Sequence, residues 1–148
     1  MEGVEHNCGV CLTHSLHDCY NILRSSQHRG PETFGIAAVG YDTIDVVKVM
    51  RRVDSFSLPN LYKILNNIYH TFLGHVRYAT QGKKTLIDML RDAHPIILRA
   101  PKDNIYLRDD HLIIKGAGLV GVHNGQVDKK YLEGIQFRRL VTGTDTER

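Results

Sequence analysis

The run FGIAAVGY, residues 34–41, constrains this chain more than any other stretch. It is almost continuously apolar and bounded by polar and turn-forming residues, which predicts a buried strand. YDT then makes a turn, and IDVVKVM (44–50) returns as a second strand. A buried hairpin needs covering layers, and the flanking segments supply them. SLHDCYNILRSSQ places Leu16, Cys19, Tyr20 and Leu23 at helical spacing, with Ser15 and Asp18 in the form of a capping box and Gly30-Pro31 as the stop. A second helix opens at Pro59-Asn60, with Leu61, Ile64, Leu65 and Ile68 on one face.

Further strands are expected over CGVCLTH (8–14), TFLGHVRYA (71–79), 95–98, 112–115 and 118–123. The turn-rich APKDN and RDDH break the later ones. A short helix is expected over 85–92. A last one is expected from Asp128, with Leu132 and Ile135 on its apolar face. Strand-helix-strand-strand-helix followed by more strands predicts a layered α+β domain. The chain stops after TGTDTER with no element completed, so the domain is expected to be truncated at its C-terminal end.

At 148 residues, with 42% hydrophobic and 24% charged, the composition suits a single globular domain. The net charge of +3 is scattered. The pairs Arg51-Arg52, Lys129-Lys130 and Arg138-Arg139 carry no interleaved aromatics, which argues against nucleic acid as a partner. No segment has the length of a membrane span and no secretory signal precedes the domain, so a cytoplasmic protein is expected. Three cysteines without framework spacing fit that reducing compartment.

HNCGVCLTH holds a cluster of soft ligands, and a small zinc module using His6, Cys8, Cys11 and His14 is one reading of it. Structural zinc sites draw on a second ligand pair farther along the chain, and none follows. In a strand, Cys8 and Cys11 point to opposite faces. Cys19 falls on the apolar stripe of its helix, where a free cysteine is ordinary core.

Four other stretches place glycines and polar residues directly after apolar strands or helices: QHRGPETFGI (27–36), GHVRYATQG (74–82), VHNGQV (122–127) and TGTDTE (142–147). Such element ends commonly line pockets. Their residue types suit a small zwitterionic amide: a guanidinium clamps a carboxylate, a carboxylate holds an ammonium, and an Asn amide beside a Gly N–H stabilises an oxyanion. Each also has an ordinary structural reading. Arg77 and Asp145 could pair on the surface, and Asn-Gly is the commonest hairpin turn.

In this order, CG, QHRG…GI, GHVRYATQG, HNG and TDTE resemble the class II glutamine amidotransferases. These are N-terminal nucleophile hydrolases with a four-layer αββα sandwich. Within that family the motifs are most similar to the glutaminase domain of the amidophosphoribosyltransferases. The resemblance spans residues 8–148. It implies that Cys8 is the nucleophile, with its own α-amine as base once residues 1–7 are removed as a leader. A free α-amine titrates near ~8, close enough to neutrality for that task. Asn124 and Gly125 would form the oxyanion hole. Arg77 would bind the glutamine α-carboxylate and Asp145 its ammonium, with Arg29, Gly30, Tyr78 and Thr80 also lining the substrate site. The products would be glutamate and ammonia, by way of a γ-glutamyl thioester. The resemblance assigns no metal or other cofactor and no chemistry to His28, His75 or His123.

The implied partners are glutamine and an acceptor domain or chain, with phosphoribosyl pyrophosphate as acceptor in purine synthesis; a homo-oligomer is also expected. An uncleaved leader would leave the Cys8 nitrogen acylated, and the chain would then be an inactive glutamine-binding or interaction module. Cys11 and His14 depart from the family's more apolar first strand. Residues 83–115 diverge as well, with AHPIIL near the place of an Asn-Ala-Gln-Pro-like element and the stretch after it resembling an insertion.

Overall fold

A computed structural model describes residues 8–77, 85–86, 89–90 and 93–124. The architecture is mixed α/β, built on an antiparallel sheet with two α-helices. The elements are β1 (Gly9–Thr13), α1 (Leu16–Ser25), β2 (Thr33–Val39), β3 (Ile44–Val49), α2 (Leu58–Ile64), β4 (Thr71–Arg77), β5 (Ile96–Leu98), β6 (Ile105–Leu107), β7 (His111–Ile114) and β8 (Leu119–Gly121). Six strands form the main sheet in the order β1-β4-β2-β3-β7-β6, while β5 and β8 pair separately.

The apolar hairpin lies at the sheet's centre as its composition requires. Phe34, Ile36, Ala37, Ala38, Val46, Val47 and Val49 are all buried. Strand alternation divides them between two cores. Phe34, Ile36, Val47 and Val49 face α1 and α2, meeting Cys19, Leu23, Leu61 and Leu65. Ala37, Val46 and Ile114 face the other way, against Ile97 of β5 and Val120 of β8. The main sheet is thus covered by helices on one face and by the small sheet on the other.

The Ser15 side chain accepts from the Asp18 N–H and starts α1, as its spacing predicts. α2 begins one residue before Pro59, capped by Ser57, and is shorter than its apolar spacing suggests. Leu65 leaves the helical region at φ −92°, ψ 76°, ahead of Asn66-Asn67. Ile68 therefore falls outside the helix and is 78% exposed. Two asparagines compete for backbone hydrogen bonds too well for the helix to run on. The hydrogen bond from the Ile68 N–H to the Asn67 side chain is that competition. The stretch that resembles an insertion adds β6 to the edge of the sheet as a hairpin with β7. In the expected 85–92 helix, Met89 N–H bonds to Thr85 C=O and Ala93 N–H to Met89 C=O, both helical i→i−4 bonds. The expected leader, the C-terminal helix and the proposed truncation lie outside the described residues. Among the described residues, no helix is long and apolar enough to cross a membrane.

Candidate functional site

β1 and β4 pair antiparallel with Gly9 opposite Val76 and Cys11 opposite Gly74. Carrying that register one residue further sets Cys8 across from Arg77, the last residue of β4. Both are half-buried. Val76 packs into the helix-side core, so alternation puts Cys8, His75 and Arg77 together on the opposite face. On its other edge β4 pairs with β2, where Thr33 stands opposite Arg77.

Gly30 completes this end of the sheet. A Cβ there would lie 2.6 Å from backbone atoms of Val76 and Arg77, so only glycine lets the 27–30 turn press against the strand. Gln27 holds that turn in place. Its amide donates to Asp54 Oδ2 at 3.1 Å and its carbonyl oxygen accepts from the Asp54 N–H at 3.1 Å. Arg29 is exposed on the same turn.

Beside Arg77 lies a buried histidine pair. His75 is fully buried on β4, and its Nε2 sits 2.8 Å from Nδ1 of His94 and 3.2 Å from the His123 carbonyl oxygen. The rings meet edge to face with centroids 4.1 Å apart. Burial pushes His75 down to about 4, against the upward pull of its bond to the His123 backbone. Burial also takes His94 to about 3, helped by the positive charges of Arg77 and Lys48 and by the electrostatic opposition of the neighbouring His75 ring. Both rings are neutral at pH 7, and the Nε2–H tautomer of His75 satisfies the His123 carbonyl. This bond draws the 122–124 segment, with Asn124, toward the strand that carries Arg77.

Three buried side-chain atoms lack a hydrogen-bond partner among the described residues: Thr33 Oγ1, His75 Nδ1 and His94 Nε2. All lie on the Arg77 side of the sheet.

Of the residues singled out in the sequence, Cys8, Gly30 and Arg77 come together, and Asn124 is tethered nearby through His123 and His75. Tyr78, Thr80, Gly125, Asp145 and His6 lie outside the described residues. Cys11 faces α1, away from Cys8, and His14 Nδ1 lies 3.0 Å from the His70 carbonyl. Among the described residues no cluster of three metal-ligating side chains occurs. His94 was not legible as a site residue, the only hint being its position before proline in AHPI. An open hollow of about 380 Å³, lined in part by Arg51, Phe56, Lys63 and His111, lies on the helix face, away from Cys8. Compared with family models, curated proteins and solved structures, the chain gives no match.

Proposed function

We propose that this chain is a glutamine-hydrolysing domain of the class II amidotransferase type. The observation that carries the reading is the β1–β4 register, which brings Cys8 beside Arg77 from positions 69 residues apart in sequence (77 − 8). Gly30, packed on the Arg77 backbone, and the tether from His75 to the His123 carbonyl support it. Helices on one face and a second sheet on the other are consistent with three layers of an αββα sandwich.

The chemistry follows from the residue types. With the α-amine of Cys8 free, that amine takes the thiol proton, and the thiolate attacks the glutamine side-chain carbonyl carbon. Asn124 and the Gly125 N–H hold the oxyanion. Ammonia leaves with the transferred proton, and water attacks the thioester to release glutamate. Arg77 clamps the substrate α-carboxylate and Asp145 its ammonium. The ammonia passes to an acceptor, with phosphoribosyl pyrophosphate the one the resemblance implies.

The test compares protein beginning at Cys8 with the full chain. A glutamine-mimicking diazoketone should add its mass to Cys8 in the shorter protein, which should also release glutamate from glutamine. The full chain should do neither. Absence of both adduct and glutamate in the protein beginning at Cys8 refutes the reading; glutamine binding without turnover would mark an inactive binding module.

A further inference from the structure

The helix-side core contains a second pair of reactive atoms that the proposed hydrolysis does not use. Cys11 Sγ lies 3.4 Å from Cys19 Sγ, with Cys11 7% exposed and Cys19 fully buried. Gly74 makes the hollow for both: a Cβ on it would stand 2.7 Å from each sulfur. The two thiols therefore share one space beneath β4, with β1 on one side and α1 on the other. Plain core cysteines need only apolar neighbours. These two meet each other sulfur to sulfur.

We propose that Cys11 and Cys19 form a reversible disulfide, an oxidative modification site that joins β1 to α1. Bonding requires the sulfurs to approach by only ~1.4 Å. The co-reactant is a small hydroperoxide, because the burial of both thiols shuts out bulkier oxidants. Cys11 Sγ attacks the peroxide oxygen, the O–O bond breaks, and Cys11 becomes a sulfenic acid as water or an alcohol leaves. Cys19 Sγ then attacks the Cys11 sulfur, the S–O bond breaks, and water departs with the Cys19 proton. Two thiols lose two electrons and the peroxide oxygen gains them. The hydrogen bond from Cys19 lowers the Cys11 thiol against the opposing effect of burial, while that bond and burial raise Cys19. This assigns Cys11 as the attacking sulfur and Cys19 as the resolving one. Cys8 continues β1 on the opposite face and cannot join the pair.

The test uses the full chain, folded and reduced, exposed to hydrogen peroxide, then quenched, denatured, alkylated and mapped by mass spectrometry. A linked Cys11–Cys19 peptide lighter by two hydrogens is expected, reverting to two alkylated thiols with a thiol reductant. Cys19→Ser should lose the link and leave Cys11 to advance to sulfinic acid. The proposal fails if both Cys11 and Cys19 remain alkylatable after Cys8 is fully oxidised. It also fails if Cys11 in the parent ends as sulfinic acid, or if Cys8 links to Cys11 as often as Cys19 does. None of these readouts needs glutamine turnover.

Discussion

Acid should destabilise this protein through the His75–His94 pair before its carboxylates titrate. Native His75 and His94 are depressed to about 4 and about 3, against an unfolded histidine near ~6.5. Between those values the unfolded chain binds protons that the native rings refuse. The stability is therefore complete above the unfolded value and is lost as pH falls toward the native ones. Each ring contributes a slope of about 1.4 kcal/mol per pH unit, so from pH 6 to 4.5 the pair removes about 4 kcal/mol. That is a large share of a typical stability of ~5–15 kcal/mol. His94→Gln removes one titrating group and keeps a side chain able to accept from His75 Nε2. Its loss over the same window should be smaller than the parent's by about 2 kcal/mol, half of the pair's slope. Urea unfolding midpoints at half-unit steps from pH 4.5 to 7, for parent and variant, measure this directly. Parallel curves for the two proteins would refute the claim that burial holds both rings neutral.

Three further outcomes are expected. Cys8→Ala, in protein beginning at residue 8, should abolish glutamate release while leaving the thermal midpoint nearly unchanged, since Cys8 is half-buried at a strand's start. Gly30→Ala forces a methyl against the Val76 and Arg77 backbone and should cost about 1–3 kcal/mol by chemical denaturation. Asp45 is buried and accepts from Tyr69 OH at 2.5 Å, Thr43 Oγ1 at 2.8 Å, Gly116 N–H at 3.0 Å and Lys115 Nζ at 3.2 Å. Burial raises its carboxyl, but those four bonds outweigh burial and hold it below the ordinary range. Asp45→Asn should then lose about 1.5–3 kcal/mol, with Tyr69→Phe losing less, by thermal or urea unfolding.

What the sequence discloses about the fold tracks how deeply each segment is buried. β2 and β3 were legible within 34–41 and 44–50 because both faces of that hairpin are covered, so their apolar runs are nearly unbroken, although β2 stops at Val39 and leaves Tyr41 exposed. α1 was legible from its cap and stripe together. β6 was not, because Ile105, Tyr106 and Leu107 are each more than 40% exposed at the sheet edge and the strand is only three residues long. The spacing of Leu61, Ile64, Leu65 and Ile68 overstated α2, since periodicity carries no information about the two asparagines that end it.

The candidate site shows the same limit more sharply. Spacing alone says that Cys8 and Cys11 diverge from a strand, but not which strand either one meets, because their partner lies more than sixty residues away. The structure supplies a reason for the pairing. Cys11 stands opposite Gly74, and the hollow over that glycine takes the Cys11 and Cys19 sulfurs together. Sliding β1 by one residue would turn Cys11 out of that hollow and send Val10 and Leu12, now exposed, into the helix-side core. The sulfur pair and Gly74 thus pin the register on one face, and the same register seats Cys8 beside Arg77 on the other. On this reasoning Gly74→Ala, which crowds both sulfurs, should disturb the β1–β4 pairing. In protein beginning at Cys8 it should weaken diazoketone labelling of that residue, although residue 74 lies on the far face of the sheet from the proposed chemistry. Labelling at the parent rate in a folded Gly74→Ala protein would show that the register is held by something other than the sulfur pair.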